Sequence, residues 1–241
     1  FQGDLGESIY SGLPVTRLIG QRLEPTLMLT LITIVIAVGF AVPLGVLAAW
    51  KVGTWVDRAV MAFAVLGFSV PVFVIGYVLI AGGSMALGWF PVQGYTSITE
   101  DFYGFLSHIT LPALTLGMVY MALIARMTRA TMLEVLNEDY IRTAYAKGVA
   151  TRKVLWKHAL KNAMVPIVTT IGLGVALLIG GVVVTETVFA VPGLGRLTVD
   201  AVLRTDYPVI QGVILVFSLA YVLLNLLIDL SYVFFDPRIR Y

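Results

Sequence analysis

Residues 26–49 read TLMLTLITIVIAVGFAVPLGVLAA, an uncharged run bounded by Glu24 and Lys51. A helix crossing the hydrocarbon core of a bilayer needs about 20 predominantly apolar residues. This stretch meets that length, with Pro43 as an expected internal kink. Four more uncharged stretches lie further along, at 59–87, 109–125, 163–185 and 207–228. In the first of these, Pro71 after Ser69 should kink the helix, and Gly82, Gly83 and the Trp89-Phe90-Pro91 cluster place its end at an aromatic interface. The third span, 109–125, is closed by Arg126 and Arg129. Of the 241 residues, 59% are hydrophobic and 12% charged, about half the charged share of an ordinary soluble domain. The pattern predicts an all-α polytopic membrane bundle of five spans.

The composition excludes several chemistries. With no cysteine, disulfides, thiolate metal sites, iron–sulfur clusters and cysteine nucleophiles are ruled out. His108 and His158 lie in separate regions, so a metal site is not expected. HExxH, GxSxG and the Walker A loop are all missing from the sequence, which leaves no activated nucleophile and no phosphate cradle. The chain is therefore expected to be a non-catalytic protein without a cofactor of its own. A net charge of +2 gives no reason to expect nucleic acid.

The placement of charge matters more than its sum. Lysine and arginine are retained on the cytoplasmic side of a bilayer. The connector 50–58, the connector 126–161 and the tail carry 12 of them, against 4 at Arg17, Arg22, Arg196 and Arg204. The expected layout is an outward-facing segment 1–21, a transmembrane domain 22–235 with a cytoplasmic loop 126–162 and an outer loop 186–206, and a cytoplasmic tail 236–241. The first residue is Phe1, and nothing before the first span reads as a signal peptide, so a preceding segment is expected.

The long cytoplasmic connector is the outlier. Residues 138–166, EDYIRTAYAKGVATRKVLWKHALKNAMVP, show helical patterning on both sides of a glycine. Ile141, Ala144 and Tyr145 share one face, and Gly148 can take the left-handed conformation that ends a helix. Thr151 is a plausible N-cap for a second short helix, with Val154, Leu155, His158 and Ala159 as its apolar stripe. Lys153, Lys157 and Lys161 recur on another face. Pattern alone leaves two homes for the apolar face, the membrane interface or a groove in a partner. Anionic headgroups would attract the lysine row as readily as an acidic groove would.

This segment resembles the loop shared by permease subunits of bacterial binding-protein-dependent ABC importers, and TAYAKGVATRKVLWKHALKNAMVP is similar to the version in the dipeptide and oligopeptide branch. Arg142 to Ala144 stand where the wider family has its Glu-Ala-Ala signature; Arg142 replaces the glutamate, a departure that itself resembles the peptide branch, as does the later position of Pro166. GDLGES at 3–8, RLEPTLMLTL at 22–31, VPLGVLAA at 42–49, VVVTETVFAVPGLGRLTVDAVLRTDYPVIQG at 182–212 and the terminal DPRIRY extend the resemblance over essentially the whole chain.

The resemblance implies a type I importer permease, with a sixth span before this chain, forming half of a translocation pathway. Its partners would be a second homologous permease, two ATPase subunits holding ATP and Mg, an extracytoplasmic substrate-binding protein, and membrane lipid. It gives Tyr140, Ile141, Arg142, Thr143, Ala144, Lys147, Gly148, Arg152 and His158 an ATPase-coupling role. Ser69, Pro71, Gly180, Gly181, Thr185 and Glu186 are expected on the translocation path. Phe189, Pro192, Gly193, Leu194 and Gly195 are expected to face the binding protein. Members of the branch serve dipeptides, oligopeptides, glutathione or nickel complexes.

Bland readings stand beside these. Glycines 172, 174, 180 and 181 suit close helix packing as well as a pathway. Glu186 could meet a peptide amino terminus or make a structural hydrogen bond to a neighbouring helix. Asp229, near the cytoplasmic end of the last span, should pair with Arg126 or Arg58. A self-sufficient secondary carrier or channel would show inverted repeats or charged midplane sites, and a membrane-embedded enzyme would show polar groups inside the spans; the sequence offers neither.

Overall fold

The structure, a computed structural model, describes residues 5–235; the expected tail at 236–241 lies outside the described residues. Within them the regular structure is helical: α1 Val15–Trp50, α2 Trp55–Ser69, α3 Val72–Leu79, α4 Phe102–Leu136, α5 Asp139–Ala146, α6 Thr151–Lys153, α7 Leu160–Val188, α8 Leu194–Leu203 and α9 Tyr207–Phe235. Two π-helical segments, Ile80–Ala86 and Val154–Ala159, extend α3 and α6. Three helices are long and apolar enough to cross a membrane, and the count reaches five if the bent pairs Trp55–Ser69 with Val72–Ala86 and Thr151–Val175 with Gly180–Val188 each make one span.

The helices overrun the uncharged stretches. α1 begins at Val15, so Arg17 and Arg22 lie on a helix rather than in a loose outer segment. α4 continues to Leu136, placing the first 11 residues of the expected cytoplasmic loop 126–162 in the same helix. No glycine or proline interrupts 118–136, and the helix ends only at Asn137. Pro43 sits inside an unbroken α1. Pro71 does more than kink. The chain leaves the helix there, with Pro71 extended at φ −57° and ψ 139°, because proline lacks an N–H and disfavours helical geometry at Val70. The expected outer loop 186–206 is largely helical: its first residues finish α7 and α8 fills most of the rest.

The chain divides into two compact units. One draws on residues up to Ile34, Val70–Gly117 and Leu177–Val222, the other on Val35–Ser69, Met118–Ala176 and the chain from Leu223 onward. In the second unit α4 meets its neighbours at glycines. A methyl group on Gly45 of α1 would stand 2.7 Å from the Ala125 carbonyl oxygen, and one on Gly67 of α2 would stand 3.1 Å from the Ala122 Cβ. Such close backbone approach replaces the hydrophobic driving force that is weak between helices in lipid. Span threonines differ. Thr131, Thr169 and Thr170 return their hydroxyls to the carbonyl four residues earlier, whereas the buried hydroxyls of Thr33 and Thr128 have no hydrogen-bond partner among the described residues.

In the first unit, Val15 and Ile19 of α1, Leu194, Leu197 and Ala201 of α8, and Val209 and Val213 of α9 form one apolar cluster. Ile80, Leu111, Phe189 and Val191 form another. These clusters hold the ends of α1, α7, α8 and α9 that carry the buried carboxylates described below.

Candidate functional site

The hairpin begins at Glu138, whose extended backbone precedes α5. It turns at Gly148, with φ +74° and nothing within 4 Å of the position a Cβ would occupy. The Val149 N–H donates to the Ala144 carbonyl at 3.1 Å, and that of Gly148 to the Tyr145 carbonyl at 2.9 Å, closing the end of α5. This is the left-handed cap that glycine adopts without a Cβ penalty. The second arm departs from expectation in two ways. Ala150, not Thr151, is the N-cap, and Thr151 is the first helical residue. The arm is also not a separate helix, since it passes through the π segment Val154–Ala159 directly into α7.

The apolar face of the hairpin has a home within the chain. Ile141, Val154, Leu155 and Ala159 are buried with Val46 and Ala49 of α1, Met132 of α4, and Ala163 and Ile167 of α7. Full burial of such side chains is worth roughly 1.5–3 kcal/mol each. Ala144 packs at the edge of this cluster. Tyr145, expected on the same face, is exposed, and His158 is only half-buried. Tyr140 bridges the two arms by accepting a 2.8 Å hydrogen bond from the Asn162 amide. What the anchored hairpin presents outward is Tyr140, Arg142, Thr143, Tyr145, Lys147, Gly148 and Arg152. Arg142 reaches Asp139 at 3.5 Å, but both side chains are more than 70% exposed, so the pair holds little in place.

In the same unit, Asp57 is buried and takes a forked grip from Arg129: Nη2 donates to Oδ2 at 2.8 Å while Nε donates to Oδ1, and the Gly53 N–H adds a third bond at 2.9 Å. The pair ties the α1–α2 turn to α4. The sequence reading passed over Asp57. Its signal is there, since it is the sole carboxylate between Glu24 and Glu100. Asp229, expected to pair with Arg126 or Arg58, is exposed, and neither ion pair among the described residues involves it.

In the other unit Glu186 is fully buried. Its Oε1 accepts from the Thr26 hydroxyl at 2.6 Å, Oε2 accepts from the Arg196 N–H at 3.0 Å, and the Gly195 N–H adds another bond. Thr26 in turn accepts from the Leu194 N–H at 2.8 Å. A Cβ on Gly193 would overlap the Glu186 carboxylate, and one on Gly195 would stand 2.6 Å from the Val183 Cα. The Pro192-Gly193-Leu194-Gly195 run is thus shaped to wrap a carboxylate. Glu186, expected on the translocation path or in a structural hydrogen bond, is buried here and bonded to α1 and to the first turn of α8. Thr185 is buried as well, bonded to the Gly181 carbonyl, whereas Ser69, Pro71 and Gly180 are exposed. Of the five residues expected to face a binding protein, Phe189, Gly193, Leu194 and Gly195 are buried inside this unit and only Pro192 is exposed.

Asp206, also missed from sequence, pins the segment before α1. It accepts from the Ser8 hydroxyl and from the Ile9 N–H at 3.1 Å. Burial alone would raise its carboxyl pKa, but the bonds from Ser8, Ile9, Tyr10 and Val209 outweigh it and hold the pKa below the ordinary 3.8. The glycines of α7 divide: a Cβ on Gly172 would overlap Ile228 and one on Gly174 would meet Tyr120 at 3.3 Å, while Gly180 faces open space. Among the described residues no cluster of histidine and carboxylate side chains could hold a metal ion.

Long apolar helices with a hairpin footed between α4 and α7 are the architecture of a polytopic membrane protein. Residues 41–241 match the family described as binding-protein-dependent transport system inner membrane components, and the chain belongs to it. It is 55% identical over 240 residues to a probable peptide ABC transporter permease protein, y4tP, of Sinorhizobium fredii, covering 100% of this chain and 77% of the relative. It is 48% identical to the glutathione transport system permease protein GsiC of Escherichia coli K12, covering 100% and 76%. Among solved structures, the MetNI methionine ABC transporter in an inward-facing form superposes with a TM-score of 0.76 at 18% identity, over 92% of this chain and 97% of that one. An amino acid ABC transporter crystallised with histidines superposes at 0.61 and 16%, over 93% and 95%. The fold is that of ABC importer permeases.

Proposed function

We propose that the chain is the non-catalytic permease subunit that forms half of a di- or oligopeptide pathway in a bacterial inner membrane, with its tail in the cytoplasm. A second homologous permease completes the pathway, two separate ATPase subunits bind ATP and Mg, and an extracytoplasmic binding protein delivers the peptide. The observation that carries this reading is the hairpin: its apolar face is packed on α1, α4 and α7, and its crest of Tyr145 and Lys147 at the Gly148 turn, with Arg142 and Tyr140 along the first arm, is left outward. A rigidly footed crest can pass the closure of an ATPase dimer into the helices it stands on. Peptide as substrate follows the 55% identical relative; glutathione, itself a peptide, is supported by the 48% identical one.

The test is mild extraction of the full-length chain from its native membrane and mass spectrometry of what accompanies it. Recovery with a second permease and ATPase subunits is expected. Recovery alone, as a homo-oligomer that transports without ATP, would replace this reading with a secondary carrier. Uptake of labelled dipeptide, longer peptide and glutathione by the recovered assembly then distinguishes the substrates.

A further inference from the structure

The hairpin has a second exposed face that its coupling role leaves unused. Lys153, Lys157 and Lys161 recur every four residues along the second arm, with Trp156 next to Lys157, all exposed, Trp156 at 43%. The arm runs without a break into α7, whose uncharged stretch begins at Ala163. At 1.5 Å per residue Lys161 stands about 3 Å and Lys157 about 9 Å from that boundary. The headgroup layer occupies roughly 5–8 Å of each leaflet, within reach of both ammonium groups.

The same chemistry recurs beside it. Ala49, at the end of α1, packs in the same buried cluster as Val154, Leu155 and Ala159. The residues that follow are Trp50, 46% exposed, and Lys51, whose Nζ lies 5.3 Å from the Trp50 ring centre; Trp55 is 78% exposed. Tryptophans with lysines between them are the side chains that favour a membrane–water boundary. Residues 140–163 contain no carboxylate, and Asp57, the acid nearest Lys51 in sequence, is consumed by Arg129 and Gly53.

We propose that Lys157, Lys161 and Trp156, with Trp50 and Lys51 of the adjoining α1 end, form a binding site for anionic phospholipid headgroups of the cytoplasmic leaflet. The site works by charge at headgroup level and not by insertion, because the apolar side chains of this arm are already buried in the chain. An acidic groove on a partner is the competing occupant. It is disfavoured because the row ends at the foot of a membrane-spanning helix, whereas the crest at Gly148 is at the far end of the arm. The inference rests on the cytoplasmic placement proposed above.

The test uses the full-length chain with the partners that co-extract, exchanged into nanodiscs of phosphatidylglycerol and phosphatidylcholine, and counts both the lipids and the partners retained. The parent chain is expected to enrich phosphatidylglycerol, and the variant Lys157→Gln/Lys161→Gln to retain at least about ten-fold less of it with phosphatidylcholine unchanged. Equal phosphatidylglycerol in parent and variant overturns the proposal. Loss of ATPase subunits with lipid unchanged assigns the row to the partner and overturns it too. Absence of partners already from the parent chain counts against the importer reading separately. A second measurement leaves the lysines intact: with Trp50→Phe, Trp55→Phe and Trp89→Phe, the remaining Trp156 should be quenched by phospholipid spin-labelled at its headgroup and shielded from aqueous iodide. The reverse pattern refutes the site.

Discussion

Replacing Glu186 tests whether its carboxylate serves the loop that wraps it or a substrate. In Glu186→Ala, the amides of Arg196 and Gly195 lose their acceptor in a fully buried place. Each stranded donor costs about 1–3 kcal/mol. The Thr26 hydroxyl fares better, because it also lies 3.4 Å from the Arg22 carbonyl and can turn to it. Adding the void left by the side chain, the loss comes to about 3–5 kcal/mol. Glu186→Gln keeps the shape. Its amide oxygen can take the loop N–H groups and its NH2 can donate to Thr26, so only charge assistance goes, about 1 kcal/mol. At roughly 2–4 °C per kcal/mol for a chain of this size, alanine should lower the melting midpoint of the purified chain by about 6–20 °C and glutamine by about 2–4 °C. Transport should follow stability in both. Alanine and glutamine variants that melt like the parent yet fail to transport would refute the structural role and return the carboxylate to the pathway.

Three other perturbations follow from the remaining anchors. Arg129→Met strands the Asp57 carboxylate and should cost about 3–5 kcal/mol, while Asp57→Asn combined with Arg129→Met should recover much of it, read by the melting midpoints of the two variants. Asp206 has a depressed pKa, so its contribution is complete above the ordinary carboxylate range and is lost as pH falls through its lower folded value; thermal stability should drop below pH 3.8 in the parent and less steeply in Asp206→Asn. Gly148→Val meets no neighbour, but forces a β-branched residue into the left-handed region at roughly 1–2 kcal/mol, whereas Gly148→Asn is tolerated. The valine variant should insert normally, hydrolyse ATP through its partners and take up little peptide; normal uptake would remove the hairpin turn from the coupling route.

What the sequence determined by itself was set by local chemistry. Uncharged runs of bilayer length can only be helices in lipid, because every backbone polar group must be satisfied within the segment. The glycine at 148 marks a turn because left-handed geometry excludes most other residues. Tertiary structure decided where long-range partners lie. That Asp57 belongs to Arg129, 72 positions away, and Glu186 to Thr26, 160 away, leaves no periodic trace in the chain. The same holds for the hairpin's apolar face. Its stripe is legible in sequence, but whether it rests on a membrane, a partner or the chain's own helices depends on α1, α4 and α7 arriving at one place. A bond between distant residues is chosen by the fold, whereas a helix or a cap is chosen by a residue's immediate neighbours.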